Sequence, residues 1–251
     1  MILLLDIGNS NTHLGLANTR RVTRHIDIPT AAWFSGKAGK RLRQFVGRAP
    51  IDGAAMCSVV PAVNARIRRT VRKIWKMDTF ELTAESLRRI GIHYPRPESI
   101  GPDRLANAVA AQNHFGAPVV VVDFGTAVTF DVINRAGEYA GGIIAPGLAA
   151  MTEYLHEKTA LLPRIKIREI KKVIGRSTEE AMLAGAVLGY RGLIRGVLVE
   201  LKRELKTSRL PVVATGGYAR LIAARLPEIH AVEPGLTLEG LRLEWETHSV
   251  C

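Results

Sequence analysis

Two stretches of the chain repeat one pattern, nearly half the chain apart. LLLDIGNSNTHLGLA begins at Leu3 and VVVVDFGTAVTFDVI begins at Val119. Each is an apolar run, then Asp-x-Gly, then small hydroxyl or amide residues, then a second β-rich segment. Asp6 and Asp123 are 117 residues apart in a chain of 251. A duplicated strand–turn–strand unit at that spacing predicts two similar domains facing each other, with a boundary near the FGAP of Phe115 to Pro118. The domains are therefore expected at residues 1–116 and 117–251.

The intervening pattern is α/β. Strands are expected at 2–7, 13–17, 54–59, 119–124, 129–133 and 212–214, and helices at 39–47, 62–76, 103–115, 179–206 and 218–226. Residues 92–102, IHYPRPESIGP, carry three prolines and read as an ordered loop. No apolar run approaches the ~18 residues of a membrane span, and residues 1–5 lack the basic start of a signal peptide. The two cysteines, Cys57 and Cys251, are too far apart in sequence for a C-x-x-C metal site or a disulfide framework. A reducing cytoplasm is the expected location.

The formal charge is +12 and uneven. Residues 1–116 hold 18 Lys and Arg against 8 Asp and Glu, and residues 117–251 hold 17 against 15. The excess lies in GKAGKRLRQFVGR (36–48) and RIRRTVRKIWK (66–76). Such a surface suits nucleic acid or anionic small molecules, and equally a solvated helix face. No zinc finger, aromatic RNA-binding motif or DNA-reading helix accompanies it.

A strand ending in Asp-x-Gly before a tight polar turn suits a phosphate. Gly8 lets a ligand approach the backbone. Asn9, Ser10, Asn11 and Thr12 offer donors without positive bulk. Asp6 can hold Mg²⁺ through water, because Mg²⁺ dehydrates reluctantly. An ordinary hairpin would use the same residues, but the repeat at Asp123-Phe124-Gly125-Thr126 favours the phosphate reading. Thr215-Gly216-Gly217, between a short apolar run and an amphipathic helix, is a third glycine site and suits an adenosine.

Two Asp-x-Gly hairpins and a late Gly-Gly turn resemble the acetate and sugar kinase, Hsp70 and actin superfamily. Within it the chain resembles the type III pantothenate kinases, some of which carry the label Bvg accessory factor. The residues are Asp6-Ile7-Gly8-Asn9-Ser10-Asn11, Gly101-Pro102-Asp103-Arg104, Asp123-Phe124-Gly125-Thr126-Ala127 and Thr215-Gly216-Gly217, with GGIIAPGL at 141–148 and LTLEGL at 236–241. Ser10 stands where the family has Thr and keeps the hydroxyl. Pro102 stands where the family has Ala and removes one N–H.

The resemblance implies two ribonuclease H-like (actin/Hsp70-type) domains facing a nucleotide cleft. It implies ATP-dependent phosphorylation of (R)-pantothenate to 4′-phosphopantothenate, the first step of coenzyme A synthesis. Another small-molecule kinase of the superfamily is one alternative; a nucleic-acid-binding or transcription accessory protein on the same fold is the other. ATP would lie against Asp6 to His13, Thr126, Gly216 and Gly217, with His13 contributing backbone. Asp103 is the expected base, although helix capping explains an Asp there too. Its place at a helix N-terminus leads us to expect a lowered pKa. Arg104 would pair with the substrate carboxylate. Tyr94, Gly101, Pro102 and Thr178 match substrate-contacting positions. Asp123 resembles the ligand of a monovalent cation, K⁺ or NH₄⁺. Long helices pair across a homodimer in the family and share the pantothenate pocket. The Ala181, Gly185, Gly189 stripe fits such pairing, and packing within one chain would use the same residues. Ser177 and Glu180 have capping-box spacing.

Overall fold

The computed structural model describes residues 1–249, so Cys251 lies outside the described residues. In chain order the first elements are β1 (Ile2–Ile7), β2 (Asn11–Ala17), β3 (Val22–Pro29), α1 (Ala31–Phe34), α2 (Ala38–Val46), β4 (Gly53–Ser58), α3 (Pro61–Trp75), β5 (Phe80–Glu81), β6 (Gly91–Ile92), a 3-10 turn at Pro97–Ser99 and α4 (Pro102–Phe115). There follow β7 (Val119–Phe124), β8 (Ala127–Ile133), β9 (Glu138–Pro146), α5 (Leu148–Lys158), α6 (Thr178–Glu204), β10 (Val212–Thr215), α7 (Ala219–Ala223), β11 (Ala231–Val232) and α8 (Leu236–Ser249).

Two compact units result. The first holds Met1–Gly116, Gly137–Ala140 and the chain from Gly235 onward; the second holds Ala117–Ala136 and Gly141–Pro234. The repeat spacing predicts one boundary near residue 116, with everything beyond it in the second domain. The C-terminal helix departs from that because α8 packs on α4. Gly240 lies so close to the Ala106 carbonyl that a side chain would not fit. Buried Glu244 accepts the Arg88 and Arg89 backbone N–H groups at 3.1 and 2.8 Å, which ties α8 to the first unit.

In the first unit the sheet order is β3-β2-β1-β4-β5. β1 is antiparallel to β2 and parallel to β4. Leu3, Leu5, Ile7, Leu14, Leu16, Ile67 and Val71 build its core. In the second unit β7 is antiparallel to β8 and parallel to β10. Phe124, Phe130, Tyr190, Ile194 and Leu198 are among its core residues. Five apolar residues of six in β1 and in β7 are fully covered, which is why both read as continuous hydrophobic runs. β3 escaped the sequence reading because VTRHIDIP is polar and mostly exposed at the sheet edge.

α6 has the length and mean hydropathy, 1.4 over its most apolar window, to cross a membrane, although Arg191 and Arg195 break its apolar run. Its apolar side is nevertheless used inside the second unit. Tyr190, Ile194 and Leu198 are buried, and Arg191 on the same helix makes paired bonds of 3.1 and 2.7 Å to Glu169. Ser177 caps the helix by accepting the Glu180 N–H at 3.2 Å. The Glu180 carboxylate accepts the Arg176 N–H at 2.7 Å rather than that of the cap residue.

On the basic surface of the first unit, Arg68 pairs with Glu81 and Arg72 with Asp78. Arg66 lies over the Phe34 ring at 5.6 Å. Part of the cationic run is thus used locally.

Candidate functional site

Asp6 is the fifth residue of β1, and the turn of Gly8, Asn9 and Ser10 follows it. The turn is closed by the Gly8 N–H donating to the Asn11 carbonyl at 2.9 Å, so that N–H is already engaged. Thr30 braces it from β3's end: its hydroxyl donates to the Gly8 carbonyl at 2.7 Å and its N–H to the Ser10 carbonyl at 3.0 Å. Asn9, Ser10 and Asn11 are exposed.

Two residues of the expected phosphate set turn inward instead. Thr12 is buried, with its hydroxyl 3.1 Å from that of Thr30 and accepting the Trp33 indole N–H at 3.1 Å. The Ile7 side chain is core, and its carbonyl accepts the Val59 N–H at 3.0 Å. Alternation along a strand explains both: these side chains belong to the buried face. Their side chains are therefore spent on the fold.

Asp6 stands in a row of chemistry-bearing side chains. In register across the sheet, Asp27 of β3 is opposite His13 of β2, His13 is opposite Asp6, and Asp6 is opposite Cys57 of β4. His13 Nδ1 is 2.7 Å from Asp27 Oδ1. The Cys57 thiol donates to Asp6 Oδ1 at 3.4 Å. Burial pushes the Cys57 thiol well above its ordinary range, so it keeps its proton. Burial also raises Asp6 to about 6, with Asp103 adding to the rise and His13 and Cys57 opposing it.

Asp103 comes from α4. The helix begins at Pro102, one residue before the expected start, with Gly101 as its cap. Asp103 is therefore the second helical residue and not the cap itself. Pro102 occupies the first helical position, where a missing N–H leaves no helical bond unmade. The Asp103 carboxylate accepts the Arg104 N–H at 2.9 Å. Its pKa is raised by burial, with the Arg104 N–H and charge opposing. The lowering expected from the helix terminus is outweighed, because desolvation penalises the charged form more than the terminal N–H groups favour it.

Tyr94 is exposed and meets Tyr139 edge-on, ring centroids 6.3 Å apart. The Arg104 guanidinium lies 5.8 Å over the Tyr139 ring. Tyr139 holds its place because β6 pairs with the start of β9 and the His93 N–H donates to the Tyr139 carbonyl at 2.9 Å. Sequence reasoning missed Tyr139, Cys57 and Asp27. Only strand register brings them to the site, and register is not written in local composition.

In the second unit, Asp123 is again the fifth residue of its strand. Its register neighbours are Thr129 of β8 and Thr215 of β10. Gly216 follows with φ of +89°, and a Cβ there would stand 2.5 Å from Asp123 Oδ1 and 2.7 Å from the Phe124 backbone. Only glycine fits so close an approach. Thr126 and Gly217 are exposed, and the Gly147 N–H donates to the Thr126 carbonyl at 3.2 Å. This last bond ties the end of GGIIAPGL to the turn. Thr178 is exposed at the first position of α6. Among the described residues no three His, Cys, Asp or Glu side chains gather as a metal cage.

Two units, each with an Asp-bearing hairpin on a mixed sheet, have the duplicated fold of the actin, Hsp70 and sugar kinase class. A structure from Sinorhizobium meliloti, named a "putative 2-dehydro-3-deoxygalactonokinase protein", shares this fold, with TM-score 0.62, 14% identity and 99% of each chain covered. The family model for type III pantothenate kinase matches residues 2–200. A type III pantothenate kinase of Akkermansia muciniphila is 46% identical over 96% of each chain. One from Methylacidiphilum infernorum is 44% identical over 96% of this chain and 87% of its own. The chain belongs to the type III pantothenate kinase family.

Proposed function

We infer that the chain transfers the γ-phosphoryl group of ATP to the 4′-hydroxyl of (R)-pantothenate, opening coenzyme A synthesis in the cytoplasm. Family membership along nearly the whole chain supports this reading. The observation that carries it chemically is the Asp6–Asp103 pair of the first unit, one carboxylate for the phosphate end of ATP and one for the acceptor hydroxyl.

Asp103 orients that hydroxyl and takes its proton. One of its oxygens accepts the Arg104 N–H, and the other serves the substrate. The rise in its pKa makes it a better proton acceptor than an ordinary aspartate. Arg104, steadied on Tyr139, pairs with the pantothenate carboxylate, and Tyr94 closes on the same substrate. In the first unit the exposed donors of Asn9, Ser10 and Asn11 are assigned to phosphate oxygens; in the second, Thr126 is assigned to phosphate and Gly216 and Gly217 to the adenosine.

Asp6 fits a hydrated Mg²⁺, because burial and a neighbouring carboxylate make its negative charge costly without a cation. Bound there, Mg²⁺ would neutralise charge developing on the phosphates. Asp123 is assigned to K⁺ or NH₄⁺. A homodimer through α6 is supported by its exposed face, where Gly185, Gly189, Gly192 and Gly196 meet no neighbour within 4 Å of a would-be Cβ. Leu188 and Val199 are exposed on the same helix. Thr178 would then serve a shared substrate pocket.

The test is a product assay with ATP, Mg²⁺ and pantothenate in K⁺ or Na⁺, read by mass spectrometry. Phosphopantothenate formed only with K⁺, with the dependence lost in Asp123→Ala, is the expected result. Bound ATP without product in either salt would point to another acceptor.

A further inference from the structure

The row Asp27–His13–Asp6–Cys57 runs across four strands, β3, β2, β1 and β4, in unbroken register. Side chains opposite one another in register share one face of a sheet and stand close enough to interact. Asp6 is thus flanked from both sides. The Cys57 thiol donates to its Oδ1 from one side. On the other side stands the His13 imidazole, held by Asp27 at 2.7 Å. A carboxylate has no proton to give, so His13 Nδ1 is the donor in that bond, and Asp27 thereby sets both the tautomer and the orientation of the ring.

His13 and Asp27 are 42% and 57% exposed. An isolated surface pair at such exposure would contribute little. Here one partner is fixed beside the carboxylate that opens the phosphate turn, so the pair's effect is transmitted to a site. We propose that Asp27 is a positioning residue, which through His13 holds the Asp6 carboxylate in place for the metal-bearing phosphate end of ATP. Cys57 is the matching brace on the opposite side. The proposal rests on the reading of the β1–β2 turn as the ATP phosphate site.

The experiment is a double-mutant cycle on Asp27→Ala and His13→Ala in the full chain. The primary readout is calorimetric binding of a non-hydrolysable ATP analogue with Mg²⁺, and steady-state turnover of pantothenate is the second. Each single change is expected to weaken analogue binding roughly two- to fivefold, the range of exposed charged pairs. It should raise KM for ATP in proportion and lower kcat by no more than a similar factor, far less than loss of Asp103 would, since the base is untouched. The double variant should be no worse than either single one, because Asp27 acts through His13. Asp27→Asn still accepts from Nδ1 and should lose less than half as much, and it guards against misfolding of the alanine variant. Cys57→Ala should cost a similar amount and add to the effect of Asp27→Ala, as a brace on the other side.

Unchanged binding in Asp27→Ala overturns the proposal. So does a further loss when Asp27→Ala is made in the His13→Ala background, or an equal loss in Asp27→Asn. These outcomes are separable from failure of the functional reading: a wild-type chain that makes no phosphopantothenate, while the binding cycle behaves as described, refutes the substrate and leaves the positioning role standing.

Discussion

The β1–β2 and β7–β8 hairpins are nearly the same object. Their strands have six and seven residues, their first strands share one burial pattern, and each carries its Asp at the fifth position. Each Asp has an antiparallel neighbour on one side and a parallel one on the other. For Asp6 these are His13 and Cys57; for Asp123 they are Thr129 and Thr215. Duplication fixed where a carboxylate stands, and substitution of its neighbours decided what it can do. The first hairpin has gathered titratable groups around its carboxylate, with Asp103 nearby. The second sets two threonines and a glycine backbone beside its carboxylate, and the Thr129 hydroxyl donates to a further buried acid, Asp131, at 3.2 Å.

The comparison can be broken hardest at Asp103, which gives the first unit a second carboxylate. Asp103→Asn keeps the shape and removes the base. Turnover should fall roughly 10²- to 10⁴-fold, with binding of a Mg²⁺–ATP analogue kept near wild type. Near-normal turnover would remove Asp103 from the chemistry and leave the two hairpins equivalent in kind. The wild-type rate should also fall on the acid side at a higher pH than an ordinary aspartate would give, since burial raises this carboxyl.

A second difference is mechanical. A side chain at Gly216 would meet both the Asp123 carboxylate and the Phe124 backbone, at a φ that L-residues avoid. At Gly8 a Cβ would meet one carbonyl, that of Asn11, at 3.0 Å. Gly216→Ala should therefore destabilise the chain by about 2–4 kcal/mol, and Gly8→Ala by about 1 kcal/mol. Denaturant unfolding of the two variants measures this directly. Equal losses would mean that the second turn is no more tightly enclosed than the first.

Much of this was legible in the sequence. β1 and β7 read at their observed bounds because an apolar run ending in Asp-x-Gly has few other interpretations. The Asp103 loop and the Gly-Gly turn were visible as motifs. What stayed hidden depends on distant parts of the chain. β3 is a polar edge strand, so no hydrophobic period marks it, yet it supplies Asp27. Cys57 looks like one more apolar residue of GAAMCS until β4 lies beside β1 in register. Tyr139 reaches Tyr94 and Arg104 only because β6 pairs with the start of β9. Asp103's raised pKa reflects burial by the whole unit, which a local helix-terminus argument does not contain.

A further, modest effect sharpens the electrostatic half of the comparison. Asp6 has a folded pKa raised from 3.8 to about 6, so the native chain binds this proton more tightly than the unfolded one. The resulting stabilisation is fully present below pH 3.8 and is lost as pH rises to about 6; it does not return above that. Without nucleotide or divalent cation, the wild type should thus be less stable at pH 7.5 than Asp6→Asn, whose amide carries no charge to desolvate. The gap should be on the order of 1–2 kcal/mol, below the full value of the shift because Asp6 is partly exposed. Differential melting of the two chains between pH 4 and pH 7.5 measures it, and the curves should converge toward pH 4. Adding Mg²⁺ with an ATP analogue should narrow the gap at pH 7.5 by stabilising the wild type more than Asp6→Asn, since only the wild type keeps the carboxylate. A gap that does not change between pH 4 and pH 7.5 would mean that burial of Asp6 leaves its charge unstrained, and the electrostatic contrast between the two hairpins would fall away.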